Sequence, residues 1–495
     1  MIKIYLLAAA LSLSNAFANN AISRQSRPVV EVRLQTHLSS YASRPGDVVR
    51  GIVVAPVLQN EYILIPQGSI VYGRVSRTTR VGYGLRHERA AIGIEFQEWE
   101  HPNGMRHRLH ARLLDVDNAR EQVSSDGRIR GILAAGGAPG FMLGMWRWPE
   151  PSMLARTAGG FAGLSYFMLE KLPFAPLSIA GIITTRFLIV RWPEPEIHLP
   201  PGTDLLLSLL ELPASGNVEK APGPAEAPPG MASLVSSQPF RTARAKSFKP
   251  SDTTNFVFVG TRQQVELGFL AAGWHPAESV TRGSAMRVIR AITAQHGYPT
   301  APMSPLLLEG QYPDLTFQKS LNTLSKRHHI RIWQRPELFE GQPVWVGAAT
   351  QDTGIRIHPG GKGLTHQIDP FIDRERRKII NDLSFAGCVE QQYLVDRTDV
   401  TRAPLTDIVT DGRVAALHLK DCEVKQFTPW GQYPPPPAQG SVFKRFTRRL
   451  ILEGRHAVVR GNVYYWGYRL GRQGVSFVRQ RGKSVPQASG FRPVD

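Results

Sequence analysis

Apolar and polar residues alternate along much of the first two fifths of the chain. Runs such as "RPVVEVRLQTHL", "YILIPQGSIVYGRVSRT", "RAAIGIEFQEW" and "MRHRLHARLLDVD" are rich in β-branched residues, and Pro-Gly or Asn-Gly pairs separate several of them. A half-buried strand needs that two-residue period, and those dipeptides turn the chain. Residues 27–211 are therefore expected to form an all-β barrel or sandwich. The strand entry "IPQGSIVYGRV" from Ile65 has a counterpart in "LPPGTDLLLSLLEL" from Leu199. If both lie in one sheet, the residues between Gly131 and Glu196 are inserted into it or packed at its edge.

That insertion follows another pattern. The apolar runs "GILAAGGAPGFMLGMW" and "FAPLSIAGIITTRFLIV" flank the helix-like "SMLARTAGGFAGLSYFMLEKL", and both lead into Arg-Trp-Pro-Glu-Pro, at 147–151 and 191–195. Proline stops a helix, and Trp with Arg suits a membrane interface. Each run is near the lower length limit for a bilayer span, and Arg186 falls inside the second. The apolar helical insertion at 131–190 is thus open to three readings: a buried hairpin covering the barrel, a membrane-inserted segment, or a groove for a protein partner.

From residue 250 strands and helices mix. "NFVFVG" reads as a strand running into the helix "TRQQVELGFLAAGW", where Thr261 and Gln264 have capping-box spacing and Gly273 can close the end. A second helix is expected over Ser284–Gln295 and a third after Asp369, with strands at "SPLLLEG", "DLTFQK", "RHHIRIW", "PVWVGAA", "GIRIH" and "VAALHL". The irregular order predicts an α+β domain with a mixed sheet over 250–425. Residues 212–249 read as a flexible Pro-, Ala- and Gly-rich linker, 426–441 as a Pro-rich linker, and 442–483 as a short, basic, β-rich tail.

Charge and compartment narrow the partners. The 495-residue chain has a formal net charge of +19, which calls for something anionic. Residues 1–18 combine an early lysine, an apolar stretch and small residues at Ala16 and Ala18, the layout of a cleaved signal peptide. The expected location is periplasmic or associated with an envelope membrane. There an anionic envelope component or membrane surface is the expected partner, a protein could dock on 131–190, and nucleic acid is disfavoured. Cys388 and Cys422 are the two cysteines, and sequence leaves them either a disulfide or two separate buried thiols.

Two family resemblances follow from these pieces. "IPQGS", the Asn-Gly hairpin, the apolar insertion and "LPPGT" together resemble the TrbI-type periplasmic scaffold of conjugative and type IV secretion channels, which implies a barrel carrying a helical projection. The chain lacks the long N-terminal extension of that family. "NFVFVGTRQQVELGFLAAGW", "SPLLLEG", "LTFQK", "RHHIRIW", "PVWVGAAT" and "THQIDPFIDRER" are similar to the LssY-like C-terminal domain, a bacterial module found alone or joined to membrane-embedded partners. That resemblance implies no established reaction. His366 is followed by Gln367, where the family usually pairs two histidines.

Candidate chemistry gathers in this second block. Strand alternation puts His328 on the face of Ile330 and Ile332, as a hydrogen-bonded core histidine, and His329 on the face of Arg331 and Trp333. Asp369 before Pro370 suits a helix N-cap, and Asp373 with Arg377 suits a surface pair. Arg376 projects into a helix face otherwise made of Ile372, Ile379, Ile380 and Leu383, so it must find a carboxylate or an anion. The catalytic candidates are His329, His366, Asp369 and Asp352, with Arg331 and Arg376 as anion-binding candidates. The competing arrangement is a buried Asp-Arg-His network with no turnover. No nucleophile, phosphate-loop or metal signature is present and no cofactor is expected. The functional expectation is an envelope binding or scaffold protein; the alternative is a hydrolase of phosphorylated lipid or envelope substrates.

Overall fold

The computed structural model describes residues 28–83, 87–117, 120–133, 194–211, 219–221, 225–278, 300–320, 327–357, 364–397 and 408–422, with single positions in 281–298 and 441–475. The signal-peptide pattern, residues 134–190 of the insertion and most of the basic tail lie outside them. Among the described residues no helix is long and apolar enough to cross a membrane.

The first module is a closed six-stranded barrel. Its strands are β1 (Val29–Leu34), β2 (Val48–Val53), β3 (Ile70–Thr79), β4 (Arg89–Glu100), β5 (Arg106–Val116) and β6 (Asp204–Leu209). They follow the order β3-β2-β1-β6-β5-β4, and β4 pairs back onto β3, so every neighbouring pair is antiparallel. Inward residues of the alternating runs, among them Val30, Val32, Leu34, Val71, Ile92 and Leu207, fill the interior. The two proline-containing entries form equivalent turns. Gly68 and Gly202 take φ of 82° and 92°, which glycine adopts without a Cβ clash, and their N–H groups donate to Val53 O and Leu34 O. Gly131 and Ile197 lie side by side, so both roots of the insertion leave from one place on the barrel.

The second module is a mixed sheet with helices on both faces. Its elements are α1 (Met231–Ser237), β7 (Phe256–Val259), α2 (Arg262–Ala271), β8 (His275–Pro276), β9 (Leu315–Ser320), β10 (Arg327–Phe339), β11 (Gln342–Ile357), β12 (Leu364–Ile368), α3 (Ile372–Phe385), β13 (Val389–Asp396) and β14 (Arg413–Leu419). The order is β8-β9-β10-β11-β7-β14-β13, with β12 beside β11 and only β7 and β14 parallel among these pairs. α2 and α3 cover one face through Val265, Phe269, Ile379 and Leu383, against Phe256, Phe258, Ile330 and Ile332. Met231 and Val235 of α1 pack on the other, against Val257, Val346 and Val414. The capping box of Thr261 and Gln264 is present, and Gly273 closes α2 with φ of 81°. Cys388 and Cys422 form a disulfide that ties the start of β13 to the chain just beyond β14.

Two expectations change. Residues 231–244, expected to lie in the flexible linker 212–249, form α1 and a strand, Arg241–Arg244, that pairs with Pro250–Thr253; Met231 and Val235 have a sheet face to bury against. The tail, expected to be β-rich, is helical at its described positions between 443 and 452. A helix puts Arg448 and Leu452 one turn apart on the barrel, where Arg448 meets Glu196 and Leu452 joins the core.

Closure of the barrel depends on Gly73, where a Cβ would fall 2.7 Å from the backbone oxygen of Glu95. Gly73→Ala is expected to cost about 1–3 kcal/mol, read as a lower urea midpoint.

Candidate functional site

Among the described residues, a dense cluster of buried ionisable groups lies between the two modules. In β1 the residues between the core valines point outward, and Glu31 and Arg33 should be solvated there. Arg33 is only 6% exposed because α3 covers it. Along α3, Glu375, Lys378 and Asp382 recur at spacings of three and four and face the barrel, while Lys319 reaches the same place from β9.

Asp382 is the hub. Its Oδ1 accepts from Arg33 Nη2 at 2.6 Å and Lys378 Nζ at 3.1 Å, and its Oδ2 accepts from Lys319 Nζ and Trp274 Nε1, both at 3.0 Å. Asp204 of the barrel accepts two bonds from Arg33, at 2.7 and 2.9 Å, and a third from Lys378. Lys378 also donates to Glu31 at 2.7 Å. Burial alone would raise both aspartates; Arg33, Lys319 and Lys378 outweigh it and hold them well below the usual carboxylate range. Burial, with Arg33 beside it, lowers Lys319. Three cations thus face three carboxylates. Glu31, Asp204 and Asp382 could chelate a cation by residue type, but the ammonium of Lys378 already bonds to all three.

Beside the hub, His328 is held between two acids. Its Nδ1 lies 2.6 Å from Glu375 Oε2, and its Nε2 lies 3.0 Å from Asp117 Oδ2 at the end of β5. Burial opposes a charge on the ring, yet the two acids prevail and push its pKa up to about 10. The same burial raises Glu375, whereas His328 draws Asp117 down against it. An imidazolium with both nitrogens engaged has no lone pair to accept a proton at neutral pH. This arrangement fixes one module on the other and offers no general base.

The residues expected to form a pocket are divided by the sheet. His328 is the core histidine that alternation requires. On the opposite face, Arg327 bonds Asp352 at 2.9 Å, His329 Nε2 lies 2.9 Å from Thr350 Oγ1, and Arg331 bonds Asp252 at 3.1 Å and the carbonyl of Ser304. His329, Arg331 and Asp352 do come together, but all are buried. Arg376 lies on the α3 side, 5% exposed, with Asp411 at 2.9 and 2.7 Å, Asp373 at 3.1 Å and the carbonyl of Arg413. Asp373 therefore pairs with Arg376, not Arg377. Asp369 does not cap α3. Its Oδ1 accepts from Phe371 N at 3.0 Å, and the helix starts at Ile372, because Pro370 and Phe371 complete a turn first. His366 is in β12, in register with Ile355. An open groove of about 620 Å³ lies elsewhere, on the barrel wall, with Glu95, Glu98 and Asp126 interspersed among Arg108, Arg112 and Arg128.

Residues 235–414 match the family model of the LssY C-terminus. The match begins in α1 and ends in β14, so it takes in the second module. No curated protein matches the chain significantly. Among solved structures, that of ComB10 of the Com type IV secretion system of Helicobacter pylori is matched with a TM-score of 0.19 and 12% identity, over 38% of this chain and 86% of that one.

The seam residues of the second module form no local group in the sequence, although each carries a signal. Lys319 alternates with Leu315 and Phe317, Asp382 stands between Ile379 and Leu383, and His328 precedes Ile330 by two. A charge on an apolar stripe demands a partner, but the partner here comes from another module.

Removing the hub should be costly. Asp382→Ala leaves three buried cations short of a carboxylate and is expected to lose about 3–5 kcal/mol, measured by urea denaturation. The pH dependence has a definite sign. The folded pKa of His328 exceeds its unfolded value, so its contribution is full below about 6.5 and disappears as pH rises through about 10. Between about pH 7 and pH 10 stability should fall more steeply in the native chain than in His328→Gln.

Proposed function

We propose that the chain is an exported cell-envelope protein that acts by binding, with the barrel and the LssY C-terminus module locked into one scaffold. The seam carries this reading. Its charges are paired with each other and closed to solvent, so the modules are built to keep one relative position. The signal-peptide pattern and the Cys388–Cys422 disulfide support an oxidising compartment outside the cytoplasm. The excess of 19 positive charges, outside the paired seam, supports an anionic envelope component as partner. The hydrolase alternative needs His329, His366 and Arg376 at one point. His329 and Arg376 lie on opposite faces of the sheet, so those residues have no common centre.

Expression with the native leader in a two-membrane bacterium, followed by fractionation and thiol alkylation, tests the reading. The expected product has lost its first residues, resides in the envelope and has no alkylatable thiol before reduction. An unprocessed cytosolic chain with two free thiols would refute export. Turnover of phosphate esters that disappears in His329→Ala/His366→Ala would refute a purely binding role.

A further inference from the structure

The described tail positions between 443 and 452, helical at 443, 444, 446–448, 451 and 452, have two faces of different kind. The inner face is anchored: Leu452 is 3% exposed within the barrel core, and Arg448 bonds Glu196 and the carbonyl of Val81. Glu196 is itself fixed by Ser40 Oγ at 2.6 Å and the N–H of Val81 at 3.1 Å. Thr447 Oγ1 donates to the carbonyl of Phe443 at 2.9 Å, one helical turn back. At about 100° per residue, Phe446, Phe443 and Ile451 fall within an arc of about 140° on the outer side, bounded by Lys444. They are 43%, 78% and 46% exposed.

The outer side therefore leaves Phe443 and Ile451 exposed, with Phe446 partly exposed beside them and Thr447 between. An aromatic and aliphatic stripe edged by cations is the form of a helix that lies in a membrane interface. Charge identifies the surface. Residues 442–483 hold eleven Lys or Arg against a single Glu, which attracts an anionic headgroup layer and repels basic protein surfaces. The site also adjoins the roots of the apolar insertion, since Glu194 and Glu196, which pair with Arg448, close that segment.

We infer that the outer face of 443–452, carried by Phe443, Phe446, Ile451 and Lys444, docks on an anionic lipid bilayer while the inner face stays on the barrel. This rests on the envelope reading and supplies its partner and its contact surface.

The test uses the full processed chain and sedimentation with vesicles of phosphatidylglycerol and phosphatidylcholine, or of phosphatidylcholine alone. Binding is expected to the anionic vesicles, to weaken at 0.5 M salt, and to fall at least tenfold in Phe443→Ser/Phe446→Ser/Ile451→Ser. Lys444→Glu should weaken it several-fold. Those side chains are exposed, so an unchanged urea midpoint shows that the variant is folded; if the triple variant loses stability, Phe443→Ser alone replaces it. Binding that is undiminished in a folded variant, equal on both vesicle types or absent overturns the inference. Such outcomes leave the export and alkylation result standing, whereas a cytosolic, reduced chain would remove both.

Discussion

Charge neutrality at the seam is the constraint on which the rest depends. Against their burial, Asp204 and Asp382 hold Arg33 and Lys378 in the charged form, and Asp204, Asp382 and Glu31 balance Arg33, Lys319 and Lys378 one for one. An apolar seam of the same area would bind more firmly per unit area but tolerate sliding. A hydrogen-bonded ion network tolerates little, because a displaced module would strand a buried charge. Arg33 of β1 bonds Asp382 of α3, Lys378 of α3 bonds Glu31 of β1 and Asp204 of β6, and His328 adds a contact to Asp117 at the end of β5. Orientation is what this chemistry supplies, and a scaffold requires orientation.

The same two-residue period builds the barrel and the seam. Val30, Val32 and Leu34 fill the interior while Glu31 and Arg33, on the other side of the same strand, meet the second module. A one-residue slip in β1 would therefore ruin the core and the seam together, so register is determined twice. The second module uses a helical counterpart: α3 buries Ile379 and Leu383 against its own sheet, while Lys378 and Asp382 reach the barrel.

Much of this was legible where the determinant is local. The alternating runs, the Pro-Gly entries, the capping box of Thr261 and the division of His328 from His329 all follow from neighbouring residues, and the structure reproduces them. Arg376 was recognised as a charge on an apolar helix face, although Asp411, the carboxylate that holds it, lies beyond β13 in a loop. Of the expected pocket of His329, Arg331, Asp352, His366, Asp369 and Arg376, the first three come together while Arg376 lies across the sheet, for a topological reason. Sequence proximity does not say on which face of a sheet a helix packs, and α3 packs opposite His329. The seam was illegible for a related reason: Arg33 and Asp382 are 349 residues apart, so no local pattern pairs them.

The tail makes a second contact between the two ends of the chain, and a small one suffices. From Cys422, fixed by its disulfide, only about twenty residues lead to Phe443. A tether of that length keeps the tail near the barrel at an effective concentration in the millimolar range, and its closure cost grows only slowly with length. One buried leucine and one ion pair with Glu196 can then hold the helix in place. Burying Phe443 and Ile451 as well would hold it more tightly, but would leave no apolar face outward. The exposed stripe is thus the feature that intramolecular docking leaves unexplained, and the proposed docking on an anionic bilayer would account for both its side chains and its charge.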